Sequence, residues 1–134
     1  MSTILAHLRV QPGEERRLED LIRELYAKSQ ATDPGLRHYQ YWRGAEPGTY
    51  YCLLAYDDHR SFIAHQTSGH HESASPVLRE VLADIRLEWV DPVAGASDLP
   101  PTETQDAPDG ADELTRDYTQ RFAAELADWW SPLR

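Results

Sequence analysis

Ile4, Ala6, Leu8 and Val10 alternate with Leu5, His7 and Arg9, a period of two that predicts a first strand. Pro12-Gly13 ends it. From Glu14 the period lengthens. Leu18, Leu21, Ile22, Leu25 and Tyr26 recur at helical spacing and form one apolar stripe. Glu14 and Glu15 fall in the first turn, where carboxylates suit the helix dipole. Asp33-Pro34-Gly35 predicts a turn. Leu36–Arg43 and Tyr50–Asp57 predict a second and a third strand, joined as a hairpin through Gly44-Ala45-Glu46-Pro47-Gly48. A short helical piece is expected near Ser61–Gln66. A second is expected from Ser75-Pro76, with Val77, Leu78, Val81 and Leu82 as its apolar stripe. Ile85, Leu87 and Trp89 alternate with Arg86 and Glu88 and predict a fourth strand.

The order βαββαβ is the split βαβ plan, an α+β ferredoxin-like domain over residues 1–95. Its helices can cover only one face of the sheet. Yet neither face of the second and third strands looks solvated: the second strand has His38, Gln40 and Trp42 on one side and Tyr39 and Tyr41 on the other, and the third has Cys52, Leu54 and Tyr56 on one side and Tyr51, Leu53 and Ala55 on the other. A face left to solvent would be polar. A symmetric homodimer, two sheets closing one barrel, is the expected cover; the chain's own tail is the alternative.

Charge and composition narrow the class. The 134 residues carry 23 Asp and Glu against 13 Lys and Arg, a net −10, which argues against nucleic acid and anionic membrane as partners. No apolar run is long enough to cross a membrane, the first residues do not read as a secretory leader, and Cys52 has no partner for a disulfide, so a cytoplasmic protein is expected. The stretch 96–111, rich in Pro, Asp, Gly and Thr, is expected to be an acidic linker. Beyond it Leu114, Tyr118, Phe122, Leu126 and Trp130 recur at helical spacing, predicting an amphipathic helix over 112–131 with Asp112 as its cap. That apolar face is expected to dock, on its own barrel, on the partner subunit or on another protein.

The stretch His65-Gln66-Thr67-Ser68-Gly69-His70-His71, placed after a hairpin strand within βαββαβ, resembles the antibiotic biosynthesis monooxygenase family, as do Gly35-Leu36 and Pro12-Gly13. The resemblance implies a dimeric α+β barrel with a pocket between sheet and helices. Some members of that family oxidise anthrones or quinols with molecular oxygen and no cofactor, others degrade haem, and others in the wider superfamily are isomerases or have no known activity. The catalytic sets are not reproduced. Where the anthrone oxygenases place Asn, Trp and Tyr, this chain has Cys52, Tyr56 and Phe62, and Trp42 stands for their pocket His. Where the haem-degrading members use Asn, Trp and His, it has Ala6, His65 and Ser75.

Strand parity and that register together place His38, Gln40, Trp42, Cys52, Leu54 and Tyr56 on the pocket face. Removing a phenolic proton needs a base near neutral pH, donors for the oxyanion and an apolar chamber. His38, His65 and His70 are the expected catalytic bases. Gln40, Trp42, Cys52, Tyr56 and Phe62 are the expected substrate-binding residues. No metal or other cofactor is expected: the histidines lack the i, i+4 spacing of a zinc helix, and no glycine-rich dinucleotide motif occurs. The expected function is a cofactor-independent monooxygenase for a planar aromatic, quinol or polyketide-like substrate. The alternatives are an accessory ligand- or partner-binding protein, or an isomerase or cyclase on the same fold.

Overall fold

The computed structural model describes all 134 residues. β1 (Ser2–Val10) leads to α1 (Glu15–Thr32), then to the hairpin strands β2 (Leu36–Arg43) and β3 (Thr49–Tyr56). α2 (His59–Gln66), α3 (Gly69–Val81) and β4 (Leu82–Trp89) follow. The strands form one antiparallel sheet in the order β2-β3-β1-β4. This is the expected α+β, ferredoxin-like plan. Ile4, Ala6, Leu8 and Val10 of β1 are buried together with Leu18 and Ile22 of α1. Each such aliphatic side chain contributes about 1.5–3 kcal/mol on leaving water. No helix is long and apolar enough to cross a membrane.

β2 corrects the expected register. The pairing shifts between Leu36 and His38, so that Tyr39 lies opposite Leu54 and Tyr41 opposite Cys52. Cross-strand partners share a face. Tyr39 and Tyr41 therefore point under the helices, and His38, Gln40 and Trp42 point to the open face, away from the pocket. A single bulge reverses every side chain that follows it. The exchange buries Tyr39 to 3% exposure and leaves Trp42 at 58%. α3 also begins earlier than expected. Ser68 caps it, its Oγ accepting the His71 N–H at 3.3 Å, so Pro76 sits inside the helix rather than in its first turn.

Beyond β4 the chain runs back along the ends of the strands. Thr102, wholly buried, donates from Oγ1 to the Val90 carbonyl at 2.5 Å, and its N–H donates to Asp91 Oδ1 at 2.9 Å. The Glu103 N–H donates to the Met1 carbonyl at 2.7 Å. Arg134 closes the path with bonds of 2.7 and 2.9 Å to the Asp91 carboxylate. α4 (Glu113–Arg121) starts at the expected cap, Asp112 accepting the Thr115 N–H at 2.8 Å, and docks on α2 of its own chain. It stops at Arg121 instead of reaching 131. A continuing helix would give the Phe122 carbonyl to the Leu126 N–H; here His59 Nε2 donates to that carbonyl at 2.8 Å. A short 3-10 turn, Asp128–Leu133, ends the chain.

Candidate functional site

The turn after α1 sets the site. Asp33 ends that helix, its N–H donating to the Ser29 carbonyl at 2.9 Å. Pro34 and Gly35 then turn the chain into β2. Gly35 adopts φ +72°, and a Cβ there would lie 2.9 Å from Ser61 Oγ of α2, so only glycine lets the turn press this closely on α2. The approach delivers the Asp33 carboxylate to His65 on the last turn of α2. His65 Nδ1 donates to Asp33 Oδ2 at 2.7 Å, and the Tyr56 hydroxyl donates to the same oxygen at 2.8 Å. Ser29 Oγ lies 3.1 Å from His70 Nε2, which is 3.4 Å from Asp33 Oδ1. The Asp33 and His65 side chains are 5% and 2% exposed. Burial alone would raise the Asp33 carboxyl, but the bonds from His65 and Tyr56 outweigh it and hold it below the usual carboxylate range.

With Nδ1 committed to a carboxylate, the neutral imidazole carries its proton there and presents a lone pair at Nε2. His65 Nε2 makes no bond within the protein and is not among its sealed polar atoms. His65 lines a cavity of about 600 Å³ between the sheet and α1–α3. The floor is Ile4, Ala6, Leu8, Cys52 and Leu54, with Tyr39 and Tyr41; the roof is Phe62, His65, Gln66, His71 and Leu78. The Tyr39 ring stands edge-on to His65 at 5.6 Å. Its hydroxyl is 2.8 Å from that of Tyr41. Two hydroxyls in one bond leave one further O–H, with the Cys52 thiol beside Tyr41, and burial raises both phenols so that they stay neutral donors.

The expected residues therefore divide. His65, Cys52 and Phe62 line the cavity. Burial pushes the Cys52 thiol up to about 12, which leaves it a small neutral wall. Tyr56 is wholly buried and its hydroxyl is committed to Asp33, so it positions the carboxylate rather than facing a ligand. His70 braces Ser29 and Asp33 behind His65. His38 lies on the open face opposite Ala55. Gln40 and Trp42 border a more open cleft of about 690 Å³ beside α1. Its carboxylate, Glu19, is held down to about 2 by Arg43, with Tyr50 adding a second bond, so it is a poor base. Asp33, Tyr39 and Tyr41 were not among the expected site residues: Asp33 reads as part of a turn, and the tyrosines reach the pocket only through the bulge in β2.

Asp33, His65 and His70 each offer one ligating atom, all within 4.8 Å of one another, so a divalent metal is geometrically conceivable. In this structure the three side chains are joined by hydrogen bonds instead, His65 to Asp33 and Ser29, Tyr56 to Asp33, and His70 to Ser29. His71, whose ring centroid is 4.9 Å from that of His65, has a sealed Nδ1 without a partner. Burial, and after it the neighbouring His65 and His70, hold its pKa down to about 4. A base whose pKa falls on folding stabilises the protein above its unfolded value, near 6.5, and loses that contribution as pH falls toward 4. Acid titration of the melting temperature should show a loss of up to about 3 kcal/mol across that window. His71→Phe should flatten it; an unchanged slope in that variant would assign the loss elsewhere.

The sequence model for antibiotic biosynthesis monooxygenases matches residues 1–76. Among solved structures, a Caulobacter crescentus protein provisionally assigned to the same family is 28% identical, with a TM-score of 0.65 over 69% of this chain and 89% of its own. PA3566 from Pseudomonas aeruginosa, 22% identical, gives 0.64 over 69% and 94%. Rv0793 from Mycobacterium tuberculosis, 20% identical, gives 0.65 over 72% and 98%. These last two likenesses concern the fold. No curated protein sequence matches the chain. With the family model covering more than half of its length, and with the sheet, the helices and the pocket between them in place, the chain belongs to the antibiotic biosynthesis monooxygenase family.

Proposed function

We propose that the protein is a cofactor-independent monooxygenase for a flat phenolic or quinol substrate, with His65 as the base. The observation that carries this reading is the Asp33–His65 pair: Asp33 fixes the tautomer, and His65 Nε2 is left free at the wall of a largely apolar chamber. A phenol entering the chamber gives its proton to Nε2. The imidazolium formed is stabilised by the Asp33 carboxylate, while the further O–H of the Tyr39–Tyr41 pair donates to the phenolate oxygen. The electron-rich anion then passes an electron to molecular oxygen, and the two radicals combine at ring carbon. For naphthalene-1,4-diol the balance is one diol plus one O2 giving hydroxynaphthoquinone plus one water. The base, the donor and the largely apolar lining of the chamber are all supplied by side chains.

Bound 2-naphthol tests the proton transfer. At pH 7 its near-ultraviolet spectrum should be that of the phenolate in the parent protein and that of the neutral phenol in Asp33→Asn. A neutral spectrum in the parent would contradict His65 as the base.

We also propose that the open face of the sheet meets a second copy of the chain. Tyr51 and Trp42 are exposed there beside half-buried Leu5 and Leu53, where a sheet face left to solvent would be polar. Light scattering should give about twice the 15.3 kDa chain mass. A folded monomer at micromolar concentration would rule this out.

A further inference from the structure

The tail supplies one wall of the cavity. Phe122 is the tail residue that lines it, and its ring stands edge-on to Phe62 at 6.2 Å and to Tyr118 at 5.5 Å. Both ring pairs belong to the cluster built on Ile4, Tyr56, Phe62 and Ile63. Two anchors hold Phe122 in place. His59, wholly buried at the start of α2, donates from Nε2 to the Phe122 carbonyl at 2.8 Å and accepts the Gln105 N–H at Nδ1 at 3.2 Å. Tyr118, one turn earlier on α4, donates to Glu72 Oε1 at 2.6 Å. These bonds fix the backbone from which the Phe122 ring projects: displacing that backbone breaks the first, and displacing α4 breaks the second. The solved relatives match 69% to 72% of this chain. The family model ends at residue 76, so Phe122 lies outside the stretch it matches.

We infer that Phe122 is a specificity-determining residue that sets the length of the flat ligand the cavity accepts. It closes the end beside Ile4 and Phe62, so a ligand extended by one ring in that direction meets the Phe122 ring edge. The inference rests on the proposed reading of this cavity as the ligand site. It differs from that reading in needing no chemistry, only selection by size.

The test uses 2-naphthol and 2-hydroxyanthracene, phenols that differ by one ring, titrated into the full-length protein. Tryptophan fluorescence reports binding, because Trp89 packs edge-on to Phe62 at 5.4 Å. Phe122→Ala should improve the affinity for 2-hydroxyanthracene relative to 2-naphthol by about 10-fold, the usual scale for a change in pocket size. Phe122→Trp, which fills the same end, should shift the ratio the other way. Trp129→Ala, at an exposed site outside the cavity, should leave it unchanged. Binding of both phenols with a ratio that neither Phe122 variant moves would overturn the inference alone. Failure of both phenols to bind the parent and the variants would overturn it together with the functional reading. A ratio that shifts as expected while bound 2-naphthol stays neutral would uphold Phe122 and sink His65 as the base.

Discussion

Asp33→Asn should lower aerobic turnover of naphthalene-1,4-diol by at least about 10²-fold, and His65→Ala by about 10²–10⁴-fold, the range for a positioned general base. The two losses have different origins. Alanine removes the acceptor. Asparagine leaves the imidazole in place, but its amide can donate to Nδ1, which drives the proton to Nε2 and fills the lone pair the substrate needs. Nothing then neutralises the imidazolium either. The loss should fall on kcat rather than KM, since Asp33 does not line the cavity. Cys52→Ala serves as the contrast. Its thiol is neutral, held up at about 12 by burial, and its loss should change turnover by only a few-fold. If Asp33→Asn retains parental kcat while binding the diol, the carboxylate has no part in the chemistry.

Removing residues 96–134 should destabilise the remaining domain strongly. The deletion uncovers Phe62 and Ile63, 1% and 2% exposed in the intact chain, and strips two bonds from His59. Phe62 and Ile63 each owe about 1.5–3 kcal/mol to burial, so their exposure costs up to about 3–6 kcal/mol. For a domain of this size a loss of that order lowers the melting temperature by about 12 °C or more. Calorimetry of the two proteins measures it directly. A shift of only a degree or two would mean that the tail's contacts contribute little, and that the domain is complete without them.

How far the sequence discloses the molecule depends on the range of the forces involved. The period-two runs of β1 and β3 and the stripe of α1 are local signals, and they lead to the right elements in the right order. The His65 region could be picked out because the residues that carry it are contiguous. The face of β2 could not, because it turns on one bulge between Leu36 and His38. The alternation of Tyr39 and Tyr41 with His38, Gln40 and Trp42 looks equally well formed in either parity. Burial of two tyrosines against His65 and Cys52 decides it, and that is a tertiary effect. Asp33 was hidden differently. In Asp33-Pro34-Gly35 it has the composition of an ordinary turn, and its role arises only when His65, 32 positions away, meets it. The end of α4 depends likewise on His59, 63 positions earlier.

The central claim, oxygenation without a bound cofactor in the chamber of His65, is tested most directly by product stoichiometry. The purified protein, shown by its absorption spectrum to carry no flavin or haem, is mixed with naphthalene-1,4-diol in a closed oxygen electrode. The expected result is one O2 consumed for each hydroxynaphthoquinone formed, without hydrogen peroxide, at a rate that falls in His65→Ala. Uptake that yields unsubstituted naphthoquinone and an equivalent of peroxide, at the same rate in parent and variant, would contradict it.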